Sequence, residues 1–269
     1  MIHEPPVDSA ALYESADHVA TITLNRPHVL NAVNAALSAA LSEALDRAEN
    51  DPDVRVIIIR GAGRAFCAGA DLKALAAGES LEDPQRPDAG FAGITQRWVD
   101  KPLIAAVQGY AMGGGLEIVL ACDLAVVAQD AKLGLPEVTR GLVAGAGGVL
   151  RLPRTIPARV ALHLGLTGEP MTAEEAQRWG LVSCVSPPES VLERADQLAR
   201  RIAANAPLAV RSTKSLMRRT DGHGTDWPQP AGSGIWETNA AIMREVAASP
   251  DALEGAAAFT ERRAPRWRT

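Results

Sequence analysis

The chain has 269 residues, 47% of them hydrophobic, which is enough for a sizeable core in one large domain or two small ones. Its formal net charge of −5 argues against a protein that binds nucleic acid by neutralising phosphates. The amino terminus lacks the apolar segment of a signal peptide and no run approaches the ~18 apolar residues of a spanning helix, so we expect a cytoplasmic protein that binds neither nucleic acid nor membrane.

The first half of the chain alternates predicted strands and helices. A strand in residues 18–27 precedes an amphipathic helix in 34–50, where leucines recur every four residues and Asn34 is placed to cap the first turn. Short apolar runs bounded by turn residues predict buried strands at 54–61, 102–109 and 123–128. This alternation indicates an α/β fold class.

The second half is predicted to be almost wholly helical after residue 181. The predicted helices are 191–204, 207–217, 235–248 and 251–262. We therefore expect an α/β core with the active site in residues 1–185 and a helical region in 186–269. Two segments rich in glycine, proline and polar residues, 78–90 and 220–234, predict mobile surface loops, either of which could cover a site.

Several kinds of reactive centre are disfavoured by the sequence. Cys67, Cys122 and Cys184 are odd in number and lack metal-site spacing, which is typical of buried free thiols in a reducing compartment. The histidines are scattered and form no metal-binding motif, and no serine lies in a nucleophile elbow. We therefore predict neither a metal site nor hydrolysis by a nucleophilic serine.

Two glycine-containing turns each follow a predicted strand and precede a predicted helix. They are AGADLK (68–73) and GGGLE (113–117), and neither completes a dinucleotide-binding or phosphate-loop motif. Backbone N–H groups at such helix starts favour negative charge, and one from each turn would form an oxyanion hole. A tight structural turn is an equally good interpretation of the first segment, and the sequence does not show that the two turns meet.

Two glutamates are candidates for acid–base chemistry. Glu117 is the only charged residue in GLEIVLAC, where burial would raise its pKa into the range that a general base needs. A carboxylate satisfied by backbone N–H groups at a helix start is an equally good explanation. Glu137 follows a proline in an irregular segment, where a lone glutamate is usually solvated, so only its pairing with Glu117 suggests a role.

Several segments taken together resemble one known family. In order along the chain they are AFCAGADLK, KPLIAAVQGYAMGGGLEIVLACD, GLPEVTRGLVAGAGG, LTGEPMTAEEAQRWGLV and FTERRAPRW. They are similar to the crotonase (enoyl-CoA hydratase/isomerase) superfamily from about residue 18 to the carboxyl terminus. The resemblance implies a crotonase-like spiral of ββα units with carboxyl-terminal helices used for trimerisation, and a homotrimer or a dimer of trimers.

The resemblance also implies a set of site residues. In that family two backbone N–H groups form the oxyanion hole, and the matching positions here are Ala68 and Gly114. A bent coenzyme A lies near the first glycine turn, which makes the following the expected substrate-binding residues: Ala68, Gly69, Ala70, Asp71, Lys73 and Gly113. Phe259 and Arg262 match a Phe-x-x-Lys pair that approaches the coenzyme of a neighbouring subunit, although a guanidinium fork replaces the ammonium.

In hydratases of this family, two glutamates act on one water molecule. By resemblance, Glu117 would orient and deprotonate the water that attacks C3, and Glu137 would exchange the proton at C2. The implied activity is that of an enoyl-CoA hydratase-type lyase acting on the 2,3-bond of an acyl-CoA thioester. No cofactor or metal is implied, because coenzyme A is part of the substrate.

Alternatives stay open. Retention of both glutamates does not exclude a Δ3,Δ2-enoyl-CoA isomerase. The segments GGVLRLPR and FTERRAPRW resemble carnitinyl-CoA dehydratases. The quaternary ammonium of such a substrate is expected to bind in an aromatic cage. Trp98, Trp227 and Trp236 are candidates for the cage, although packing explains each of them. A few relatives bind RNA through a lysine-rich helix, but the helix at 34–50 has one arginine against three acidic residues.

Overall fold

The computed structural model of the chain describes residues 9–220 and 234–268. The strands are β1 (Ala11–Ala16), β2 (Val19–Leu24), β3 (Val56–Gly61), β4 (Leu103–Val107), β5 (Tyr110–Met112), β6 (Leu124–Ala128), β7 (Lys132–Gly134), β8 (Met171–Thr172) and β9 (Cys184–Ser186). The first α-helices are α1 (Ala35–Asn50), α2 (Leu72–Ala76), α3 (Gly114–Ala121), α4 (Gly148–Thr155) and α5 (Ala158–Thr167). The later ones are α6 (Ala173–Arg178), α7 (Val191–Ala203), α8 (Pro207–Thr220), α9 (Gly234–Ala247) and α10 (Pro250–Glu261).

The predicted elements of the first half are confirmed to within a few residues at their ends. In α1, the side chain of Asn34 accepts a hydrogen bond from the Leu37 N–H at 3.1 Å, and so caps the helix as expected. Leu37, Leu41 and Leu45 are fully buried, because their spacing places them on the one face of α1 that packs against the sheet.

The main sheet has six strands in the order β1-β2-β3-β4-β6-β9. Only β1 and β2 pair antiparallel, and the other neighbours are parallel. In β3 the run Ile57, Ile58 and Ile59 is completely buried, as expected for a parallel strand that is covered on both faces. The sheet therefore forms the centre of the hydrophobic core.

The predicted boundary between residues 185 and 186 is wrong, because it cuts through β9, which pairs with β6. The helix α7 that follows contacts β2, β3, β4, β6 and β9. It buries Ala195 and Ala199 completely, since small side chains let a helix lie close to a sheet. α7 is thus part of the core rather than of a separate helical region.

A second sheet of three strands, in the order β5-β7-β8, lies next to the segments of interest. β5 leads into α3 at the triple glycine, and β7 is followed by the 3-10 helix Pro136–Arg140. Both predicted catalytic glutamates therefore follow neighbouring parallel strands. Within the described ranges, no helix has both the length and the apolar character needed to cross a membrane.

Candidate active site

The two glycine turns meet, as an oxyanion hole requires. The Cys67 N–H donates to the Tyr110 carbonyl at 3.0 Å, and the Met112 N–H donates to the Cys67 carbonyl at 3.1 Å. A Cβ atom added to Gly115 would lie 2.1 Å from the Cys67 carbonyl oxygen, and one added to Gly69 would lie 2.7 Å from the Met112 carbonyl oxygen. Glycine is therefore required because one backbone packs directly against another.

The prediction that Ala68 supplies an oxyanion-hole N–H is wrong. The Ala68 N–H donates to the carbonyl oxygen of Leu30 at 3.0 Å. This bond anchors the turn to the preceding part of the chain. Because the donor is already engaged, it has no proton to offer a thioester carbonyl.

Ala70, in the same turn, has an N–H that the bridge to the preceding part of the chain does not engage. In the parallel bridge between Val33 and Ala70, the Val33 N–H donates to the Gly69 carbonyl and the Asp71 N–H donates to the Val33 carbonyl, both at 2.8 Å. Successive N–H groups of an extended segment point in opposite directions, so the Ala70 N–H points away from Val33. Within residues 9–220 and 234–268 it has no hydrogen-bond acceptor.

Gly114 supplies a second N–H beside the first. As the opening residue of α3 it has no acceptor inside its own helix, and none of the described residues accepts from it. The position that a Cβ atom would take on Gly69 is 3.1 Å from the Gly114 nitrogen, so the two turns are in contact here. Two N–H groups without an acceptor among the described residues thus lie in turns that contact each other, and Gly114 is at the positive end of the α3 dipole.

A cavity of about 490 Å³ opens in front of these groups. Its wall contains Ala68, Gly69, Ala70, Gly113 and Gly114, together with Glu117, Glu137 and Arg140. The rest is mainly apolar, with Leu72, Leu75, Leu81, Phe91, Leu142 and Val143 among its side chains. Such a largely apolar cavity with a few converging polar groups is typical of a small-molecule site.

Glu117 lies at the inner wall on α3, with only 3% of its surface exposed. One carboxylate oxygen accepts a hydrogen bond from the Gly148 N–H at 2.8 Å. Burial raises the pKa of Glu117, the charge of Glu137 raises it further, and the backbone N–H groups and Arg151 act in the opposite direction. A buried carboxylate with a raised pKa is suited to proton transfer near neutral pH.

Glu137 enters the same cavity from the 3-10 helix Pro136–Arg140. Its Oε2 atom is buried and has no hydrogen-bond partner in the described part of the chain. Burial raises the pKa of Glu137, against the effects of its own N–H group and of Arg140. A Cβ atom on Gly113 would lie 2.9 Å from the other carboxylate oxygen, so the first glycine of the triplet leaves room for this side chain.

The remaining predicted site residues lie outside the cavity wall. Asp71 caps α2 and pairs with Arg26 at 3.1 Å, which makes it a support for the Ala70 turn. Lys73 is exposed on α2 and does not line the cavity. Phe259 and Arg262 lie at the end of α10, also away from the cavity of their own chain.

The sequence analysis missed most of the apolar wall of the cavity, including two residues on one segment of the chain, Leu81 and Phe91. Leu81 and Phe91 come from the segment predicted as a mobile loop at 78–90 and from its end. Glu82 and Phe91 form an antiparallel bridge that ties the segment back on itself, and the Ser38 hydroxyl donates to the Leu81 carbonyl. The lone aromatic residue directly after a polar stretch was the available signal.

The sequence profile of the enoyl-CoA hydratase/isomerase family matches residues 14–269, so the chain belongs to that family. The carnitinyl-CoA dehydratase of Salmonella typhi is 43% identical over 252 residues, which are 92% of this chain and 94% of that one. Among solved structures, an enoyl-CoA hydratase from Mycobacterium tuberculosis has a TM-score of 0.90 and 45% identity, covering 97% of this chain and 99% of its own. A carnitinyl-CoA hydratase from Mycobacterium avium has a TM-score of 0.76 and 48% identity, covering 97% and 98%.

These relatives confirm the predicted family and the predicted crotonase-like α/β fold class. Their names are those of hydro-lyases, which is the class of enzyme that the sequence predicts.

Proposed function

We propose that the protein catalyses the reversible hydration of a 2-enoyl-CoA thioester, with Glu117 and Glu137 as the acid–base pair and the N–H groups of Ala70 and Gly114 as the oxyanion hole. Family membership and the relatives confirm hydro-lyase chemistry on a coenzyme A thioester; the residue roles are the proposal. The observation that carries these roles is that the buried Glu117, the half-buried Glu137 and two residues with open N–H groups line one cavity.

The proposed reaction uses both carboxyl groups in different protonation states. In the hydration direction, the Glu117 carboxylate accepts a proton from water while the water oxygen bonds to C3. The π electrons move toward the thioester carbonyl, and the enolate oxygen accepts hydrogen bonds from Ala70 and Gly114. C2 then takes the proton of the neutral Glu137 carboxyl. Burial raises the pKa of Glu137, which favours its neutral form as the donor to C2, and a neutral Glu137 leaves no like charge beside the Glu117 carboxylate.

The residue roles are tested with Glu117→Gln and Glu137→Gln, using crotonyl-CoA and the loss of its enoyl thioester absorbance. We expect each variant to lose about 100-fold or more in turnover, because each removes a positioned proton-transfer group. Glu189→Gln, at an exposed glutamate in the 3-10 helix Pro188–Ser190, is the matched control and should behave as wild type.

Two results would contradict the proposal. Near-normal turnover in both variants would remove the two-glutamate mechanism. A severe loss in only one of them, with conversion of a 3-enoyl-CoA retained, would favour the Δ3,Δ2-enoyl-CoA isomerase.

A second candidate activity, dehydration of carnitinyl-CoA, is favoured by the identity to relatives of that name. The predicted aromatic cage has little support. Trp98 stacks on the Lys214 ammonium and donates to Asp100, and neither it nor Trp236 lines the cavity, while Trp227 lies outside the described residues. Parallel assays with crotonyl-CoA and crotonobetainyl-CoA decide between the two, since the better substrate has the higher kcat/KM.

The remaining features of the proposal concern assembly, cofactors and location. The exposed apolar residues of α10 and of α4 support association of subunits, and the family resemblance leads us to propose a homotrimer or a dimer of trimers. Proton transfer and carbonyl polarisation by the chain's own groups balance the reaction, so we propose no cofactor beyond the coenzyme A of the substrate. The three cysteines are free thiols, which supports a cytoplasmic location.

A further inference from the structure

Arg151 lies behind the cavity rather than in its wall. It is a half-buried residue of α4, and its guanidinium reaches two separate parts of the chain. One nitrogen, Nη2, donates to the carbonyl oxygen of Thr95, and the other, Nη1, donates to the carbonyl oxygen of Ala146 at 3.4 Å. The side chain therefore joins two segments that the main sheet does not connect.

The first of these segments is the turn 146–148, which binds Glu117. Gly148 donates its N–H to the Glu117 carboxylate at 2.8 Å, and the Arg151 N–H donates to the Gly147 carbonyl, also at 2.8 Å. Gly147 has a φ of +108°, and a Cβ atom there would lie 2.0 Å from the Arg151 Nη1. The guanidinium thus packs directly on the turn, in space that only glycine leaves open.

The second segment carries the aromatic wall of the cavity. Thr95 is completely buried, and its N–H donates to the Phe91 carbonyl at 3.2 Å. The Phe91 ring in turn lies over Gly114, since a Cβ atom at Gly114 would be 2.4 Å from ring atoms. Through Thr95, Arg151 is therefore linked to the wall beside the second oxyanion-hole N–H.

We infer that Arg151 is a positioning residue for the hydration reaction. Its planar guanidinium fixes the position of the turn that binds Glu117 relative to the segment that carries Phe91. This inference rests on the proposed role of Glu117 as the base. A misplacement of about 1 Å at a reacting group can cost on the order of 100-fold in rate, so a residue that only fixes geometry has a large effect.

The charges around Arg151 and Glu117 predict a change in pH dependence that a purely structural role of Arg151 would not produce. Besides burial and its backbone hydrogen bonds, two charged groups act on Glu117: the charge of Glu137 raises its pKa, and the charge of Arg151 lowers it. Arg151 in turn has the cations Arg218 from α8 and Arg154 from α4 nearby, besides Glu117. Removing the Arg151 charge should therefore raise the pKa of Glu117, and the ionised base would be available only at higher pH.

The test compares Arg151→Met and Arg151→Lys with Arg154→Met, an exposed arginine one turn along the same helix, as control. In Arg151→Met we expect kcat for crotonyl-CoA to fall about tenfold or more with little change in KM, and the acidic limb of the kcat profile to move to higher pH. Arg151→Lys should keep the limb in place yet still lose kcat, because an ammonium is a point charge and not a fork. Arg154→Met should match wild type in both readouts.

The inference is overturned if Arg151→Met is folded and keeps the wild-type kcat. It is also overturned if kcat falls while the acidic limb stays in place, because that pattern indicates only a structural role. If Arg151→Met fails to fold, the inference is tested by Arg151→Lys alone. A wild-type kcat in Arg151→Lys would then show that the planar guanidinium is not required. Failure of the proposed function is separate, since it would appear as full activity in Glu117→Gln.

Discussion

Glu117 is a charged residue on an otherwise apolar and buried helix, so its ionised form destabilises the fold that it serves. Its pKa in the folded protein is raised above the ordinary value of 4.5. The native state therefore keeps a proton that the unfolded chain has already lost, and stability falls as pH rises from that ordinary value through the raised one. Below this window the carboxyl is neutral in both states and carries no such cost.

Replacement of Glu117 by glutamine should consequently stabilise the protein in a pH-dependent way. We expect the Tm of Glu117→Gln to exceed that of wild type by a margin that is small below pH 4.5 and grows as the pH rises above it, although we expect the same variant to have lost activity. Thermal unfolding across this range measures the margin, with Glu189→Gln as the exposed control. A difference in Tm that does not change with pH would mean that hydrogen bonds fully offset the cost of burying the ionised Glu117 carboxylate.

The choice between Ala68 and Ala70 shows what the sequence can and cannot give at the scale of one residue. Both belong to the same small-residue turn, for which the composition of AGADLK predicts a ligand site, and the structure places the turn in the wall of the cavity. The direction of each N–H depends on the bridge to Val33 and the bond to Leu30, which come from a distant part of the chain. Local sequence does not contain that information.

At the scale of elements, α3 depends on glycine at its start because the helix begins against another backbone. Gly115→Ala would place a Cβ atom 2.1 Å from the Cys67 carbonyl, which is itself fixed by the Met112 N–H. Since neither backbone can move without losing this bond, we expect a loss of about 1–3 kcal/mol in the free energy of unfolding. Urea denaturation provides the measurement.

Gly165→Ala is the matched control for this prediction. Gly165 also lies inside a helix, α5, but a Cβ atom there would meet no atom within 4 Å. The substitution should therefore stabilise the protein by roughly 0.5–1 kcal/mol through helix propensity alone. Equal effects of the two substitutions would contradict a specific backbone contact at Gly115.

The longer elements were predictable because their patterns repeat several times. The leucine spacing of α1 and the isoleucine run of β3 each predict the type of secondary structure and the side chains that are buried. The strands β5, β7, β8 and β9 have only two or three residues, too few to show an alternation, and they form because tertiary contacts align them. The position of α7 on the sheet could not be read from its helical pattern, since that pattern is the same in a core helix and in an appended one.

At the scale of the whole molecule, two different surfaces of the chain expose apolar side chains. Phe259 on α10 is 88% exposed, and Leu150 on α4, on the helix that carries Arg151, is 63% exposed. Two unlike surfaces that pair head to tail generate a ring of subunits when the rotation between neighbours closes. Neither Phe259 nor Arg262 lines the cavity of its own chain, so the coenzyme contact that the family resemblance implies for them requires a neighbouring subunit.

We therefore expect Phe259→Asp and Leu150→Asp each to dissociate the oligomer, because a buried unpaired charge opposes association. Phe259→Asp should also raise KM for the thioester. Analytical ultracentrifugation gives the masses, and Gln177→Asp adds the same charge to the exposed face of α6 as a control. Each variant keeps one intact surface, so a mixture of the two should form a heterodimer that cannot close into a ring. A mixture that stays monomeric would contradict the pairing of these two surfaces.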